Sequence, residues 1–353
     1  MCKMKKVSLK GLTLPELENF VVELGWEKYR ARQIFKWLYN KQIDDLSKMT
    51  DLPKSYKEKL AQSVDINELK LLTFERSDCD GTIKLLFELK DGEKIESVLI
   101  PDQSRLTLCI STQVGCPIDC KFCATGAMGF MRNLTAGEIV DQVIQSQKIS
   151  ERRITNIVFM GMGEPLLNLK NLLKAIDIIT SNDGIRIGSR KITISTVGLP
   201  DKIKELADAG RKVKLAISLH TLNEDLRKKL IPIANRYPIQ SIIEAVKYYY
   251  SKIGLRITYE YILFEGLNDT DEDVKKLVEL AKIVPCKINI LKFHPVDFIR
   301  KDPILKNLKP SKRLEEFAQR LRENNLTVFI RSNAGEDIKA ACGQLAILTE
   351  IQN

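Results

Sequence analysis

The stretch Cys116-Pro117-Ile118-Asp119-Cys120-Lys121-Phe122-Cys123 places three thiols in one short loop. It follows an apolar run over 106–110 that predicts a strand leading into a turn at Gly115. Soft thiolate ligands in this number suit zinc or an iron–sulfur cluster. A structural zinc site takes four ligands, and this loop supplies no fourth because Cys109 belongs to the preceding strand. A cluster held by three cysteines keeps one iron open to a small molecule, so the spacing favours iron–sulfur over zinc or a redox pair.

Strands and helices are predicted to alternate from about Arg105 onward. The strand candidates are Leu106–Ser111, Asn156–Met160, Lys191–Ser195, Val213–Ser218, Arg256–Ile262, Lys287–Leu291 and Leu326–Arg331. The helix candidates are Thr135–Gln147, Asn168–Ile179, Pro200–Ala209, Glu224–Leu230, Ile239–Tyr250, Asp271–Ile283 and Ser311–Asn324. Thr135 and Glu138 form a capping-box pattern, and Asn168 is a suitable cap for the second helix. Six or seven such repeats predict an α/β fold with a complete or partial (β/α) barrel.

Polar and glycine-rich segments follow the predicted barrel strands. Gly161-Met162-Gly163-Glu164-Pro165 follows the second strand, Ser195 ends the third, and Ser218-Leu219-His220 ends the fourth. The carboxyl ends of barrel strands meet on one face, so these groups should converge with the cysteine loop. Glycine lets backbone approach a ligand, and Glu164 could hold an ammonium group or a ribose hydroxyl. Beside a three-cysteine loop, the segment from Gly161 is a credible S-adenosylmethionine contact.

The segment from Leu14 to about Leu60 has helical periodicity and is basic. Its apolar stripe, which includes Tyr29, predicts a core, and its other face carries Lys28, Arg30, Arg32, Lys36 and Lys41 with Trp37 and Tyr39 among them. Cations interleaved with aromatic rings suit an RNA backbone and its bases. A solvated helix face over an ordinary core is the alternative that this segment leaves open.

Residues 69 to 100 change to a strand-like period. The candidates Leu71–Phe74, Ile83–Leu89 and Ile95–Ile100 are separated by Asp-Gly pairs, which are typical of hairpins, and predict a small antiparallel meander. Glu96 should lie on the face opposite Ile95 and share its side with Val98. From position alone, such a glutamate would face water.

Length, charge and cysteine content bound the class of protein. At 353 residues the chain should form two domains, and its eight cysteines without secreted-scaffold density indicate a reducing compartment. The amino terminus carries no apolar leader and no stretch is long enough to span a membrane, so we expect a cytoplasmic protein. A formal charge of +10 makes a polyanionic partner plausible.

Single cysteines and histidines carry less information. Cys342 lies between Ala341 and Gly343, and a lone cysteine is commonly an inert, buried small hydrophobe. By the same reasoning Cys109 is a core residue, and Cys2, Cys79 and Cys286 have no assigned role. His220 and His294 are the only histidines, too few for a histidine-based metal site.

Taken in order, these motifs resemble a known family over nearly the whole chain. The segments that match are Tyr29 to Trp37, Met49 to Leu52, the cysteine loop with its continuation Ala124 to Leu134, GMGEPLLN from Gly161, SLH from Ser218 and AACGQL from Ala340. They are similar to the radical S-adenosylmethionine RNA methyltransferases of the RlmN type, which methylate C2 of adenine. The related adenine-C8 methyltransferases are the nearest relatives.

The resemblance implies a set of cofactor contacts. Cys116, Cys120 and Cys123 would ligate a 4Fe-4S cluster. S-adenosylmethionine would be contacted by Gly163, Glu164, Ser195, Ser218, Leu219, His220 and His294. His294-Pro295 stands where family members usually carry an Asn-Pro pair, and an imidazole can still donate or accept a hydrogen bond.

The resemblance also implies catalytic roles for three residues that the residue types alone leave inert. Cys342 would be methylated by one S-adenosylmethionine, and a second would yield a radical that removes hydrogen from that methyl group. The resulting carbon radical would add to adenine C2, which offers no nucleophile for ordinary methyl transfer. Glu96 would accept the C2 proton, and Cys109 would attack the Cys342 sulfur, releasing the product and leaving a disulfide to be reduced.

The expected organisation has four parts: a basic helical RNA-binding domain at 1–68, an antiparallel extension at 69–101, a radical S-adenosylmethionine barrel at 102–335 and a carboxyl-terminal segment with the methyl-carrying cysteine at 336–353. The expected partners are 23S rRNA, tRNA and an electron donor, with no membrane, for a protein that is expected to be a monomer. Adenine-C8 methylation and a non-catalytic RNA-binding iron–sulfur protein are the alternatives.

Overall fold

The computed structural model describes residues 6–295, 308–331 and 334–345. The strands are β1 Val7–Ser8, β2 Val64–Asp65, β3 Leu69–Arg76, β4 Ile83–Leu89, β5 Lys94–Pro101, β6 Leu106–Cys109, β7 Gln113–Gly115, β8 Phe130–Asn133, β9 Asn156–Phe159, β10 Ile192–Thr196, β11 Lys214–Ser218, β12 Ile257–Leu263, β13 Cys286–Lys292 and β14 Val328–Ile330. The helices are α1 Leu14–Glu23, α2 Tyr29–Phe35, α3 Lys54–Ser63, α4 Ala124–Ala127, α5 Ala136–Ile149, α6 Leu169–Thr180, α7 Pro200–Asp208, α8 Glu224–Leu230, α9 Ile239–Ile253, α10 Asp271–Ala281 and α11 Leu314–Glu323.

A ten-stranded sheet in the order β14-β13-β12-β11-β10-β9-β6-β5-β4-β3 organises the described chain. Its strands from β6 to β14 are parallel, and β3 to β6 are antiparallel. The sheet is curved. This is shown by one cavity that is lined both by residues at the end of β5 and by β14. The predicted α/β class with a partial (β/α) barrel is therefore confirmed, and the predicted meander shares a single sheet with the barrel.

The seven predicted barrel strands all form, and their β-branched and aromatic content favours the strand conformation. In β12 all seven residues are buried. The first strand differs from prediction, since β6 ends at Cys109 and the chain continues into a hairpin of β7 and β8 that the pattern did not reveal. The turn predicted at Gly115 lies in this hairpin, where φ is +71° and an added Cβ would overlap the carbonyl oxygen of Gly129.

The helix-start predictions have mixed outcomes. The capping box at α5 is present, with Thr135 and Glu138 each bonded to the other's backbone. Asn168 occupies the predicted N-cap position of α6, but its side chain makes no capping bond. Its Oδ1 accepts from the Asn171 side chain, and its Nδ2 donates to the carbonyl oxygens of Thr112 and Leu134. These bonds satisfy the buried amide and tie two loops together.

The amino-terminal helices form the predicted helical region, and the segment before α1 packs on α5, where the backbones of Gly11 and Gly137 lie in close contact. Two aromatic residues of the helical region lie opposite to expectation: Tyr29 is 56% exposed, and Tyr39 is fully buried with its hydroxyl bonded to the backbone of Gly11. A buried pair, Lys10 and Asp141 at 2.7 Å, joins this region to the barrel. Tyr39 is therefore a core residue and no part of a basic face.

Candidate active site

A cavity of about 150 Å³ lies at the carboxyl ends of the barrel strands. The loops after β6, β9, β10 and β11 all contribute to its wall, as the motif spacing predicted. The predicted residues among its lining are Cys116, Cys120, Cys123, Gly163, Glu164, Ser195, Ser218, His220 and Cys342. The carboxyl ends of parallel strands thus bring together groups that are far apart in the sequence.

The three loop cysteines are held against the carboxyl-terminal end of the barrel. Ile118 and Phe122 are buried beside the end of α8, and the backbone N–H of Lys121 donates to the carbonyl oxygen of Leu230 at 2.8 Å. Burial raises the pKa of the Cys116 thiol to about 12, and the charge of Cys123 adds to this effect. A positively charged iron–sulfur cluster would stabilise three such thiolates, so the donor set fits that group.

The three loop thiols line one cavity. Among the residues that the structure describes, no group of three His, Cys, Asp or Glu side chains is arranged to hold a single metal ion.

The glycine-rich loop after β9 is held by Gln113. Gly163 has φ +98°, and a Cβ there would lie 2.5 Å from the Cβ of Gln113, so close packing requires glycine at this position. The Gln113 side-chain oxygen accepts from the Glu164 backbone at 2.8 Å. The glycine therefore serves the packing of its own loop.

Glu164 is buried and joins two strand ends. Its Oε2 accepts from the backbone N–H of Val197 at 2.9 Å, and its Oε1 accepts from that of Leu166 at 3.1 Å. Burial raises the pKa of this carboxyl to about 7, although these N–H groups favour the charged form. A cationic ligand in the cavity would therefore meet a carboxylate that is already oriented.

The ends of β10 and β11 present hydroxyls and an imidazole. The Ser195 and Ser218 hydroxyls lie 3.2 Å apart across the two strands. His220 Nδ1 accepts from the backbone N–H of Ile262 at 3.1 Å, and burial lowers the pKa of this imidazole to about 3. His220 is therefore neutral and carries its proton on Nε2. The Leu219 side chain is buried in the core, and its backbone N–H donates to the carbonyl oxygen of Glu260.

The segment around Cys342 lies on the cysteine loop. The Ala124 N–H donates to the Gly343 carbonyl oxygen at 2.8 Å, and the Thr125 hydroxyl donates to that of Leu345 at 2.7 Å. Cys342 is an exposed free thiol that lines the cavity. The expectation that it is buried, which follows from residue type alone, is wrong.

Cys109 and Cys342 lie close enough to interact electrostatically. Burial raises the pKa of Cys109 to about 12, with a further contribution from Cys342, while the positive charge of Arg331 opposes the rise. Both are free thiols, as are the other cysteines in the described ranges. The structure thus places a buried thiol, a cation and an exposed thiol together.

Two further predicted residues, Glu96 and His294, lie outside the lining of this cavity. Glu96 is buried, which contradicts the expectation that it faces water. Val98 of β5 pairs with Cys109 of β6. Glu96 therefore lies on the strand next to Cys109, two residues before the residue that pairs with it. His294 lines a neighbouring cavity with Cys342, and its Nδ1 is 3.2 Å from Glu336.

Sequence reasoning missed three charged residues: Glu260 and Arg227, which are buried, and Arg331, which is half-buried. Glu260 and Arg331 face each other inside the barrel at 3.6 Å, and Arg331 also contacts the Met160 sulfur at 3.5 Å. Arg227 is buried beneath the cysteine loop and donates to the carbonyl oxygen of Val197 at 2.6 Å. The signal for Glu260 was a charged residue inside the apolar run of β12, since an inward charge in a covered strand needs a partner.

The chain is similar to known proteins along its whole length. A sequence model of the radical SAM superfamily matches residues 110–281, and one of the ribosomal RNA large subunit methyltransferase N-terminal domain matches residues 7–66. A protein of Thermotoga neapolitana described as a probable dual-specificity RNA methyltransferase RlmN is 44% identical, over 98% of this chain and 99% of its own. A protein of Geobacillus thermodenitrificans with the same description is 43% identical, over 96% of this chain and 92% of its own.

A solved structure agrees with these similarities. The crystal structure of a radical SAM methyltransferase from Sphaerobacter thermophilus superposes with a TM-score of 0.89 at 41% identity, covering 96% of this chain and 99% of that one. The likeness includes the amino-terminal helices and the barrel, because almost the whole of both chains is covered.

Proposed function

Because the chain belongs to the RlmN-type dual-specificity RNA methyltransferases of the radical SAM superfamily, we propose that it methylates C2 of adenine in 23S rRNA and in tRNA. The observation that carries the proposal is the position of Cys342. This exposed thiol lies on the cysteine loop and lines the same cavity as Cys116, Cys120 and Cys123. A methyl group carried on its sulfur would therefore lie beside the place where a radical is generated.

The cofactors are a 4Fe-4S cluster and S-adenosylmethionine. Cys116, Cys120 and Cys123 would hold the cluster, which when bound supplies the electron that cleaves S-adenosylmethionine to a carbon radical. Glu164 would bind the ammonium group of S-adenosylmethionine with its oriented carboxylate. Ser195, Ser218 and the Nε2 proton of His220 supply hydrogen bonds along the same wall.

The remaining contacts are less direct. Gly163 would keep the Glu164 loop in place, Leu219 would position its neighbours through its backbone, and His294 would act from the adjoining cavity. Two molecules of S-adenosylmethionine are used for each methyl group, one to methylate Cys342 and one to activate that methyl. An electron donor must reduce the cluster.

Three residues would complete the methyl transfer. Cys342 carries the methyl carbon and becomes joined through it to adenine C2. Glu96 would remove the C2 proton as the adduct radical gives up its unpaired electron to the oxidised cluster. The Cys109 thiolate would then attack the Cys342 sulfur, so that the carbon–sulfur bond breaks, the methylene carbon takes up a proton to become the methyl group, and methylated RNA leaves. Arg331 lies beside both thiols and its charge favours the thiolate of Cys109. The disulfide formed must be reduced before the next turnover.

The amino-terminal domain would bind RNA through a smaller basic face than the sequence indicated. Arg32 and Lys36 pair with Asp183 of the barrel, so part of their charge is used within the chain. Arg30 lies 4.6 Å from the exposed ring of Tyr29, which leaves an aromatic and cationic surface for an unstacked base. The protein would work as a monomer in the cytoplasm. Within its described residues, no helix is long and apolar enough to cross a membrane.

Nucleoside mass spectrometry tests the proposal. Ribosomal RNA and tRNA are compared from cells with the protein, without it, and with its Cys342→Ala variant. We expect 2-methyladenosine only with the unaltered protein. A Cys79→Ala variant is the matched control, since Cys79 is an exposed thiol outside the cavity. Accumulation of 8-methyladenosine would assign the C8 reaction instead, and unchanged methylation in the variant would remove Cys342 from the mechanism.

A further inference from the structure

A second cavity, of about 470 Å³, lies at the opposite end of the barrel, among the starts of the strands. Five cations line it. Arg331 lies towards the active site, and the other four lie at or near strand starts: Arg105 before β6, Lys191 before β10, Lys214 in β11 and Lys287 in β13. Amide and hydroxyl groups lie between them, including those of Asn156, Thr193 and Thr258. We call the four strand-start cations the rim.

The rim concentrates positive charge that the chain itself does not neutralise. In the described ranges, Lys191, Lys214 and Lys287 form no ion pair. The two carboxylates of this cavity pair with arginines, Asp102 with Arg105 and Glu260 with Arg331. Burial lowers the pKa of Lys214, and the charges of Lys191 and Arg105 lower it further. Burial likewise lowers the pKa of Lys287. The negative charge of Glu260 raises this pKa, whereas the positive charges of Lys214, Arg331 and Arg256 lower it further.

Such repulsion is unusual at this end of a barrel. Side chains at the amino-terminal face of barrel strands ordinarily serve stability, yet like charges held together in a half-buried space destabilise the fold. An anion seated among them would remove that cost. The hydroxyl and amide groups between the lysines would supply the neutral hydrogen bonds that a phosphate accepts.

The second cavity adjoins the active site across a shared wall. Met160, Glu260 and Arg331 line both spaces, and Arg331 also lies beside Cys342. At a rise of about 3.3 Å per residue, Lys287 lies about 13 Å along β13 from Leu291 at the active-site wall. A nucleotide whose base reaches Cys342 would therefore have its neighbouring phosphates close to the rim.

We propose that Arg105, Lys191, Lys214 and Lys287 form a phosphate-binding rim that holds the RNA backbone next to the target adenosine as it enters the barrel from its amino-terminal end. This inference rests on the proposed function and states where the RNA lies in the barrel. Two features favour RNA over a free phosphate ion: Arg105 and Lys191 of the rim are exposed to solvent, and the cavity of the rim shares a wall with the space that Cys342 lines.

The salt dependence of RNA binding tests the rim. The cluster-loaded full chain and two double variants are titrated with a fluorescent unmodified tRNA between 50 and 200 mM salt. The rim variant is Lys214→Gln with Lys287→Gln. The control is Lys204→Gln with Lys247→Gln, which removes equal charge from exposed positions on α7 and α9. We expect the rim variant to bind on the order of tenfold more weakly near 100 mM salt, with a logarithmic salt slope shallower by about 1.5, while the control keeps the original slope.

Equal slopes for the rim and control variants would overturn the proposal. Lysine acylation of the unaltered protein gives a second measurement that needs no variant: tRNA should protect Lys191, Lys214 and Lys287, and leave Lys204 and Lys247 reactive. Protection by inorganic phosphate but not by tRNA would assign the rim to a free anion and refute an RNA contact. Loss of the proposed function is distinguishable, because it would appear as missing 2-methyladenosine while these binding readouts stay as expected.

Discussion

Replacing Glu164 by Gln should change how the stability of the cluster-free protein depends on pH. Burial raises the pKa of Glu164 from 4.5 to about 7, so within this window the folded protein holds a proton that the unfolded chain has released. The free energy of unfolding therefore falls as pH rises from about 5 to about 7. A pKa difference of this size changes the free energy of unfolding by about 3 kcal/mol across this pH range. This change corresponds to about 4 °C in melting temperature for a chain of this length.

The comparison uses the difference between the two proteins, because all other titrating groups are common to both. Melting temperatures of the unaltered chain and of Glu164→Gln are measured by circular dichroism at several pH values from 5 to 8. The melting temperature of the variant should rise relative to that of the unaltered chain as pH rises, because glutamine does not ionise. Glu205→Gln, at an exposed helix position, is the control and should stay parallel. A constant difference between Glu164→Gln and the unaltered chain across the range would refute the raised pKa.

Two further substitutions test how the site is supported. Asp141→Asn leaves the Lys10 ammonium buried without its partner and should cost about 3–5 kcal/mol, lowering the melting temperature by about 4–7 °C; a loss no larger than that of Glu205→Gln would contradict this. Gly163→Ala places an alanine at φ +98° and adds a contact of 2.5 Å with Gln113, so it should destabilise more than Gly210→Ala, where φ is also positive, at +70°, but the space is open. Equal losses in thermal unfolding would show that the Gln113 contact does not matter.

The architecture could be predicted because its signals are local. Apolar runs of strand length alternate with helical stripes, and each run carries its own register, so β9 to β14 appear within about two residues of prediction. The hairpin of β7 and β8 was missed because its strands have three and four residues and are held by the approach of Gly115 to Gly129. No periodicity can develop over so short a length.

The site was partly predictable for a related reason. The cysteine loop, Glu164 and His220 follow strand ends, so the barrel rule brought them together before any contact was known. The burial of Glu96 and the exposure of Cys342 could not be read from residue type, since both depend on the packing of distant segments. Arg331 and Glu260 were invisible as a pair because they are 71 positions apart and meet only across the barrel interior.

The same curvature explains why the rim has no sequence signature. Lys191, Lys214 and Lys287 each begin or precede a strand, where a single lysine ordinarily marks a solvated strand start. They become one electrostatic site only because parallel strands point their first inward residues at a common axis. Their repulsion then acts on the strands that also carry the catalytic wall, as Ser218 lies four residues beyond Lys214 in β11. Binding an anionic backbone at the rim would therefore stabilise the strand that positions the S-adenosylmethionine contact, which couples RNA entry to the order of the active site.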